Sequence, residues 1–113
     1  MFPIIPANTA AASFPENDEG IFGYGTTGSH TAVTNLVSNA GVVGTDVVGV
    51  GTARRYLAAT QYGGDKGIFG YGDVYPTSPR EISITNLVSN TGVVASDQAA
   101  TTGTGRRYPA ACS

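Results

Sequence analysis

The sequence predicts an all-β protein assembled from two copies of one repeating unit, and three observations carry that expectation. The first is repetition. Gly20-Ile21-Phe22-Gly23-Tyr24-Gly25 returns as Gly67-Ile68-Phe69-Gly70-Tyr71-Gly72, and Thr34-Asn35-Leu36-Val37-Ser38-Asn39 returns as Thr85-Asn86-Leu87-Val88-Ser89-Asn90. Gly41-Val42-Val43 returns as Gly92-Val93-Val94, and Arg54-Arg55-Tyr56 as Arg106-Arg107-Tyr108. The offset is 47 residues at the first motif, 51 at the next two and 52 at the last, so it grows between motifs, where loops belong. A unit of this length cannot bury its own apolar face alone and must stack on a neighbour. The second observation is glycine, 16 of 113 residues, about twice the usual share of roughly 7%; it marks turns and close backbone approach. The third is the apolar set, 41% of the chain and rich in Val, Ile, Tyr and Phe, residues that fit a pleated, half-buried surface.

Four strands per unit follow from the pattern. In the second copy they fall at Arg55 to Tyr62, Gly67 to Tyr71, Ile82 to Val88 and Val93 to Asp97. Gly63-Gly64-Asp65-Lys66 makes a tight turn between the first two, because glycine accepts positive φ at no steric cost. Asp73 to Glu81, with Pro76 and Pro79, is a longer loop, and Ser89-Asn90-Thr91-Gly92 is a second turn. Gln98 to Gly105 leads onward. Helix is excluded by the glycine-rich motifs and by the lack of an i, i+3, i+4 apolar recurrence. In the first copy Ala10 to Phe14 supplies the opening strand and Pro15 to Glu19 the turn. The organisation is an N-terminal extension at 1–6, a first unit at 7–53, a second at 54–105, and a spare opening strand at 106–113.

Composition narrows the function classes. Charged residues are 12% and the net charge is -2, which argues against a nucleic-acid partner, since that needs a clustered basic face. Cys112 stands alone, so neither an internal disulfide nor a zinc framework is expected, and it reads as a small apolar strand residue. Met1 to Pro6 lacks the charged start and apolar core of a signal peptide, and no apolar run approaches the 18 or so residues of a membrane span. A soluble protein without membrane insertion is expected, its location unspecified.

The motifs offer little chemistry. The Gly-x-x-Gly-x-Gly pattern at Gly20 and Gly67 reads as strand, because a phosphate loop lies between a strand and a helix N-terminus. His30 is the only histidine and reads as a solvated loop residue; neither a metal site nor a partnered nucleophile can be built around it. Pro15-Glu16-Asn17-Asp18-Glu19 reads as a polar turn rather than a calcium loop. Paired catalytic groups common to both units are lacking, so no enzyme, metal or cofactor is expected. The repeated cations Arg54, Arg55, Arg106 and Arg107, with Tyr56, have two readings. One is structural, each fork bonding to carbonyls or to Asp46 and Asp97 between units. The other is glycan binding, with Tyr24, Tyr71 and Tyr75 as stacking platforms.

Arg55, the Ala58-Ala59 pair, Gly67 to Gly72 and Ile82 to Val88 stand in the order of the kelch class of β-propeller repeat, which the chain resembles from about Ala7 onward. Gly70-Tyr71-Gly72 replaces the usual Gly-Gly pair and no Trp follows. At Gly64 to Gly72 and Thr85 to Val94 the chain also resembles long tandem-repeat, tail-fibre-like proteins of marine phage and metagenomic origin. These resemblances imply a propeller with two four-stranded blades per chain and a role at a virion or cell surface. Two blades cannot close a ring of about four to eight, so the ring must come from a homo-oligomer: six blades as a trimer, the favoured state, or eight as a tetramer. The expected function is a non-enzymatic recognition module with a glycan or host-surface ligand; the alternative is a purely structural segment of a larger fibre or propeller.

Overall fold

The computed structural model describes residues 18–99 and 103–113, and among these there is no helix. Five strands form two small antiparallel sheets. Strands β1 (Gly20–Thr26) and β2 (His30–Val37) make the first; β3 (Ala58–Tyr62), β4 (Lys66–Asp73) and β5 (Glu81–Val88) make the second, in the order β3-β4-β5. The protein is all-β. The repeated motifs take matched registers: Gly20 faces Val37 and Phe22 faces Asn35 in the first sheet, as Gly67 faces Val88 and Phe69 faces Asn86 in the second. Both ladders slip at the same place, between Gly23 and Gly25 and between Gly70 and Gly72. The residue in each bulge is a tyrosine at positive φ, Tyr24 at 64° and Tyr71 at 65°. Tyr56 and Tyr108 repeat this geometry at 58° and 57°. Bulky side chains rarely adopt that conformation, and it persists only where the surroundings over-determine it.

Three expected strands differ in extent. The ladder expected from Arg55 begins at Ala58, with only a bridge from Arg55 to Asp73, because the left-handed turn at Tyr56 breaks the pairing. The expected fourth strand, Val93 to Asp97, touches β5 at one bridge, Val88 to Val94, and a second, Thr85 to Gln98, falls just beyond it; the first unit repeats the pair at Val37 to Val43 and Thr34 to Val47. The chain between each pair of bridges bows outward, carrying Asp97 or Asp46. Residues 106–113 form no strand, although Arg106 and Tyr108 are held by backbone bonds from Gly72 N–H (2.9 Å) and to Tyr56 O (2.8 Å). The opening strand expected at Ala10 to Phe14 and the extension at 1–6 lie outside the described residues. Cys112 is exposed rather than in a strand. No described helix is long and apolar enough to cross a membrane.

The apolar core lies between the units. Tyr24 from the first packs against Phe69, Val88 and Val94 from the second, with Ile21, Ala32, Val50 and Leu57 around them. Phe69 seats over Gly23: a Cβ there would lie 2.9 Å from Phe69 Cζ and from Thr34 Cγ2. Its ring is 5.1 Å from that of Tyr24 at a tilt of 57°, the edge-to-face range that aromatic pairs prefer. Phe69 is 4% exposed, whereas its repeat partner Phe22 is 65% exposed. Phe69→Ala should therefore destabilise the fold by about 3–5 kcal/mol, read as a lower midpoint in urea denaturation followed by circular dichroism.

Candidate functional site

Two clusters of polar side chains occupy the described protein, one inside the joint between units and one at the end of β4. The joint is built by a repeated device. On β5, Asn86 donates its amide to Ala95 O (3.2 Å) and to Asp97 Oδ1 (2.9 Å), which fixes the outward bow of the chain after β5. Asn35 does the same to Gly44 O (3.2 Å) and Asp46 Oδ1 (2.8 Å). Asp97 then receives the linker between units: Thr52 donates its backbone N–H to Oδ1 (3.0 Å) and its hydroxyl to Oδ2. Gly51, at φ 84°, makes this approach possible, since a Cβ there would lie 2.5 Å from both Asn86 Nδ2 and Asp97 Oδ1. Burial raises the Asp97 carboxyl, but the bonds from Thr52 and Asn86 outweigh it and leave the pKa below the ordinary value.

Arg54 closes the joint. It is fully buried and lies 4.6 Å above the Tyr24 ring, donating through Nε to Tyr71 O (2.6 Å) and through Nη1 to Thr52 O (3.0 Å). It thus bonds carbonyls, one of the two structural partners expected from sequence, and touches the ring of the first unit and the backbone of the second. Tyr24 hydroxyl donates to Val50 O (2.8 Å). Burial lowers the Arg54 pKa and raises that of Tyr24. Arg54 and Tyr24 are therefore interior groups, out of reach of an external ligand.

The second cluster gathers around Asp73, which is not part of the repeat, since the first copy has Thr26 in its place. Asp73 is fully buried. Arg80 grips it with two bonds, Nη2 to Oδ2 at 2.6 Å and Nε to Oδ1 at 3.1 Å; Arg55 and Arg107 approach Oδ2 at 3.4 and 3.5 Å. Tyr75 N–H adds a bond of 2.8 Å. Hydrogen bonding from Arg80, reinforced by Tyr75 N–H and by the charges of Arg80 and Arg55, holds the carboxyl far below the usual range despite its burial. Glu81 lies 3.8 Å from Arg80 and 3.6 Å from Arg107.

Aromatic rings flank these cations. Tyr56 and Tyr108 stack with centroids 4.3 Å apart and planes inclined by 29°. Arg55 lies 4.6 Å above Tyr56, Arg107 5.6 Å above Tyr108 and Arg80 4.8 Å above Tyr75, within the reach of cation–π attraction. Tyr56, Tyr75 and Tyr108 are exposed. Of the residues singled out by sequence, the structure thus brings Arg55, Tyr56, Tyr75, Arg107 and Tyr108 around Asp73. Tyr71 is half-buried under Arg106, whose guanidinium lies 4.2 Å above its ring. Sequence reasoning missed Asp73, Arg80 and Glu81; a buried acid beside a proline-interrupted loop leaves no periodic signal.

His30 also differs from its expected solvated setting. It opens β2 half-buried, and its Nε2 donates to Tyr75 O at 2.7 Å, tying the loop of the second unit to the first. The acidic turn expected at Pro15 to Glu19 lies mostly outside the described residues; within them Asp18 accepts from Asn39 (3.3 Å). Among the described residues no three His, Cys, Asp or Glu side chains gather as metal ligands. A cleft of 430 Å³ opens between the units at the opposite end, lined in part by Glu19, Leu36, Gln61, Lys66 and Val88. None of the candidate arginines or tyrosines reaches it. Compared with protein-family models, with curated proteins and with solved structures, the chain has no significant match.

The acid dependence of stability follows from Asp73 and Asp97. Both carboxyls titrate lower in the folded protein than the ~3.9 of an unfolded aspartate, so their stabilisation is complete above about pH 4 and lost as the pH falls below it. Asp73→Asn should lower stability at neutral pH by about 2 kcal/mol, less than a wholly buried pair because its arginines are partly solvated. It should also flatten the fall of the urea midpoint between neutral pH and about pH 3.

Proposed function

We propose that this chain is a non-enzymatic recognition module whose two units are blades of a β-propeller, closed into a six-bladed ring by three copies, and whose ligand is a glycan at a virion or cell surface. The observation that carries the ligand reading is the exposed Tyr56–Tyr108 stack with Arg55 and Arg107 over its rings. With one face of each ring on its partner and the other under an arginine, the stack offers a sugar its exposed phenol edges and hydroxyls, held rigid at little entropic cost. The guanidiniums keep donors for hydroxyl or carboxylate oxygens while Asp73 fixes their planes. Three arginines against Asp73 and Glu81 leave the cluster one positive charge, which favours an acidic sugar. A ring would repeat this face three times and raise avidity without a strong single site.

The ring reading is supported by the serial joint, in which a face of one unit is completed by the next, as blades require. A second reading, a purely structural repeat with no ligand, is favoured by the burial of Arg54 and Tyr24 in that joint. The fold class itself cannot select between them, since one architecture hosts many functions.

A glycan array separates the two. Wild type should bind a subset of acidic glycans, and Tyr108→Ala should weaken that binding by roughly tenfold, about 1.4 kcal/mol, with the circular dichroism spectrum unchanged at the assay temperature. Silence across a broad array, or binding indifferent to Tyr108→Ala and Arg107→Ala together, would leave the structural reading standing.

A further inference from the structure

The joint between the two units has a half-built second edition on the far side of the second unit. Phe69 seats over Gly23, beside Tyr24 and Thr34, under the segment carrying Arg54. Their repeat counterparts, Gly70, Tyr71, Thr85 and Arg106, line a cavity of 130 Å³ together with Ile68 and Pro109. A Cβ on Gly70 would meet only Thr85 Cγ2, at 3.2 Å, where the same atom on Gly23 would strike Phe69 as well. The seat is formed but open among the described residues.

The segment over that seat already has the conformation it needs. Arg106 Nη1 donates to Thr104 O at 3.0 Å, as Arg54 Nη1 does to Thr52 O at 3.0 Å. Gly72 N–H bonds Arg106 O at 2.9 Å, as Gly25 N–H bonds Arg54 O at 2.9 Å. Arg106 covers Tyr71 as Arg54 covers Tyr24, and Tyr108 turns at φ 57° as Tyr56 turns at 58°. Yet Arg54 is fully buried and Arg106 is exposed.

The opposite end of the protein carries the matching part. Phe22 is 65% exposed and Val43 54%, where Phe69 and Val94 are buried at 4% and 9%. Asp46, bonded by Asn35 as Asp97 is by Asn86, stands where an incoming threonine would be received.

We infer that the cavity over Gly70 receives Phe22 of a second copy of this chain, with Thr104 of the first copy donating to Asp46 of the second. The contact continues an interface that the protein already makes within itself, so its chemistry is specified residue by residue: an aromatic ring over glycine, a guanidinium under cover, and a threonine on an aspartate. Two different surfaces meet, which makes the contact heterologous; repeated, it closes a ring or runs on as a filament. The inference deepens the assembly half of the proposed function and is independent of any ligand.

Light scattering coupled to size exclusion tests it with four samples: wild type, a plug variant, a seat variant and the mixture of the two variants. Wild type should run as a multiple of 11.5 kDa. Phe22→Asp removes the plug from an exposed position and should shift assembly toward monomer by about a hundredfold in apparent Kd, the scale of an interface anchor, with an unchanged circular dichroism spectrum. Gly70→Leu fills the seat and should do the same; Arg106→Glu serves as the seat variant should Gly70→Leu fail to fold. Mixing the plug variant with the seat variant should give a heterodimer, because one intact plug and one intact seat remain. A monomeric wild type at its highest soluble concentration, single variants that assemble like wild type, or a mixture that stays monomeric would each overturn the inference. An assembly other than a trimer with the expected variant behaviour would overturn the six-bladed ring alone, and silent glycans would overturn the ligand alone.

Discussion

The guanidinium of Arg54 sits without solvent exposure between two sheets that are each too small to bury it. Its planar fork is suited to this place. One nitrogen reaches the linker at Thr52 O, another reaches Tyr71 O of the second unit, and the flat face lies on the Tyr24 ring of the first. Burying a charge is costly, and Nη2 finds no partner among the described residues. The bonds through Nε and Nη1 and the contact with the Tyr24 face must offset that cost, and they exist only while both units are in register. A lysine could supply the charge but neither the planar fork nor the flat face that lies on the Tyr24 ring. Around this cation the apolar contacts gather, Phe69 over Gly23 and Val88 and Val94 behind, and the Asn86–Asp97–Thr52 bonds set the distance between the sheets.

The four tyrosines at positive φ belong to the same constraint. A bulky side chain in that region stores about 1–3 kcal/mol of strain. At Tyr24 and Tyr71 the bulge turns the ring under an arginine, and at Tyr56 and Tyr108 the turn stacks the rings on each other. The strain is offset by contacts that exist only between successive stretches of the repeat. Local conformation and neighbour-to-neighbour packing therefore depend on each other, as expected for stacked units whose stability is shared across their interfaces.

Asp73 shows how one unrepeated residue adds something to this scaffold. The first unit connects its strands through Thr27, Gly28 and Ser29; the second uses a loop with Pro76 and Pro79 and brings in Arg80. Arg55 and Arg107, which belong to the repeat, then acquire a common acidic partner. Their guanidiniums are held over phenol rings instead of ranging through solvent, and a surface with a defined arrangement of donors, phenol edges and hydroxyls results.

The sequence by itself determined the all-β class, the two-fold repetition, the placement of β1, β2, β4 and β5 and the turns between them, because those follow from local periodicity, from glycine and from self-similarity. It also marked the Arg-Arg-Tyr motifs as the repeated cations. Only the tertiary structure decided that Arg54 is interior while its repeat counterpart Arg106 is exposed, since identical letters in a repeat meet different neighbours. The same holds for Phe69 and Phe22, alike in sequence and opposite in burial. Asp73, Arg80 and the open seat over Gly70 were likewise beyond sequence pattern. A carboxylate at the end of a strand acquires its role from chain segments up to 34 residues away, and whether an aromatic ring is covered depends on whether another unit lies above it.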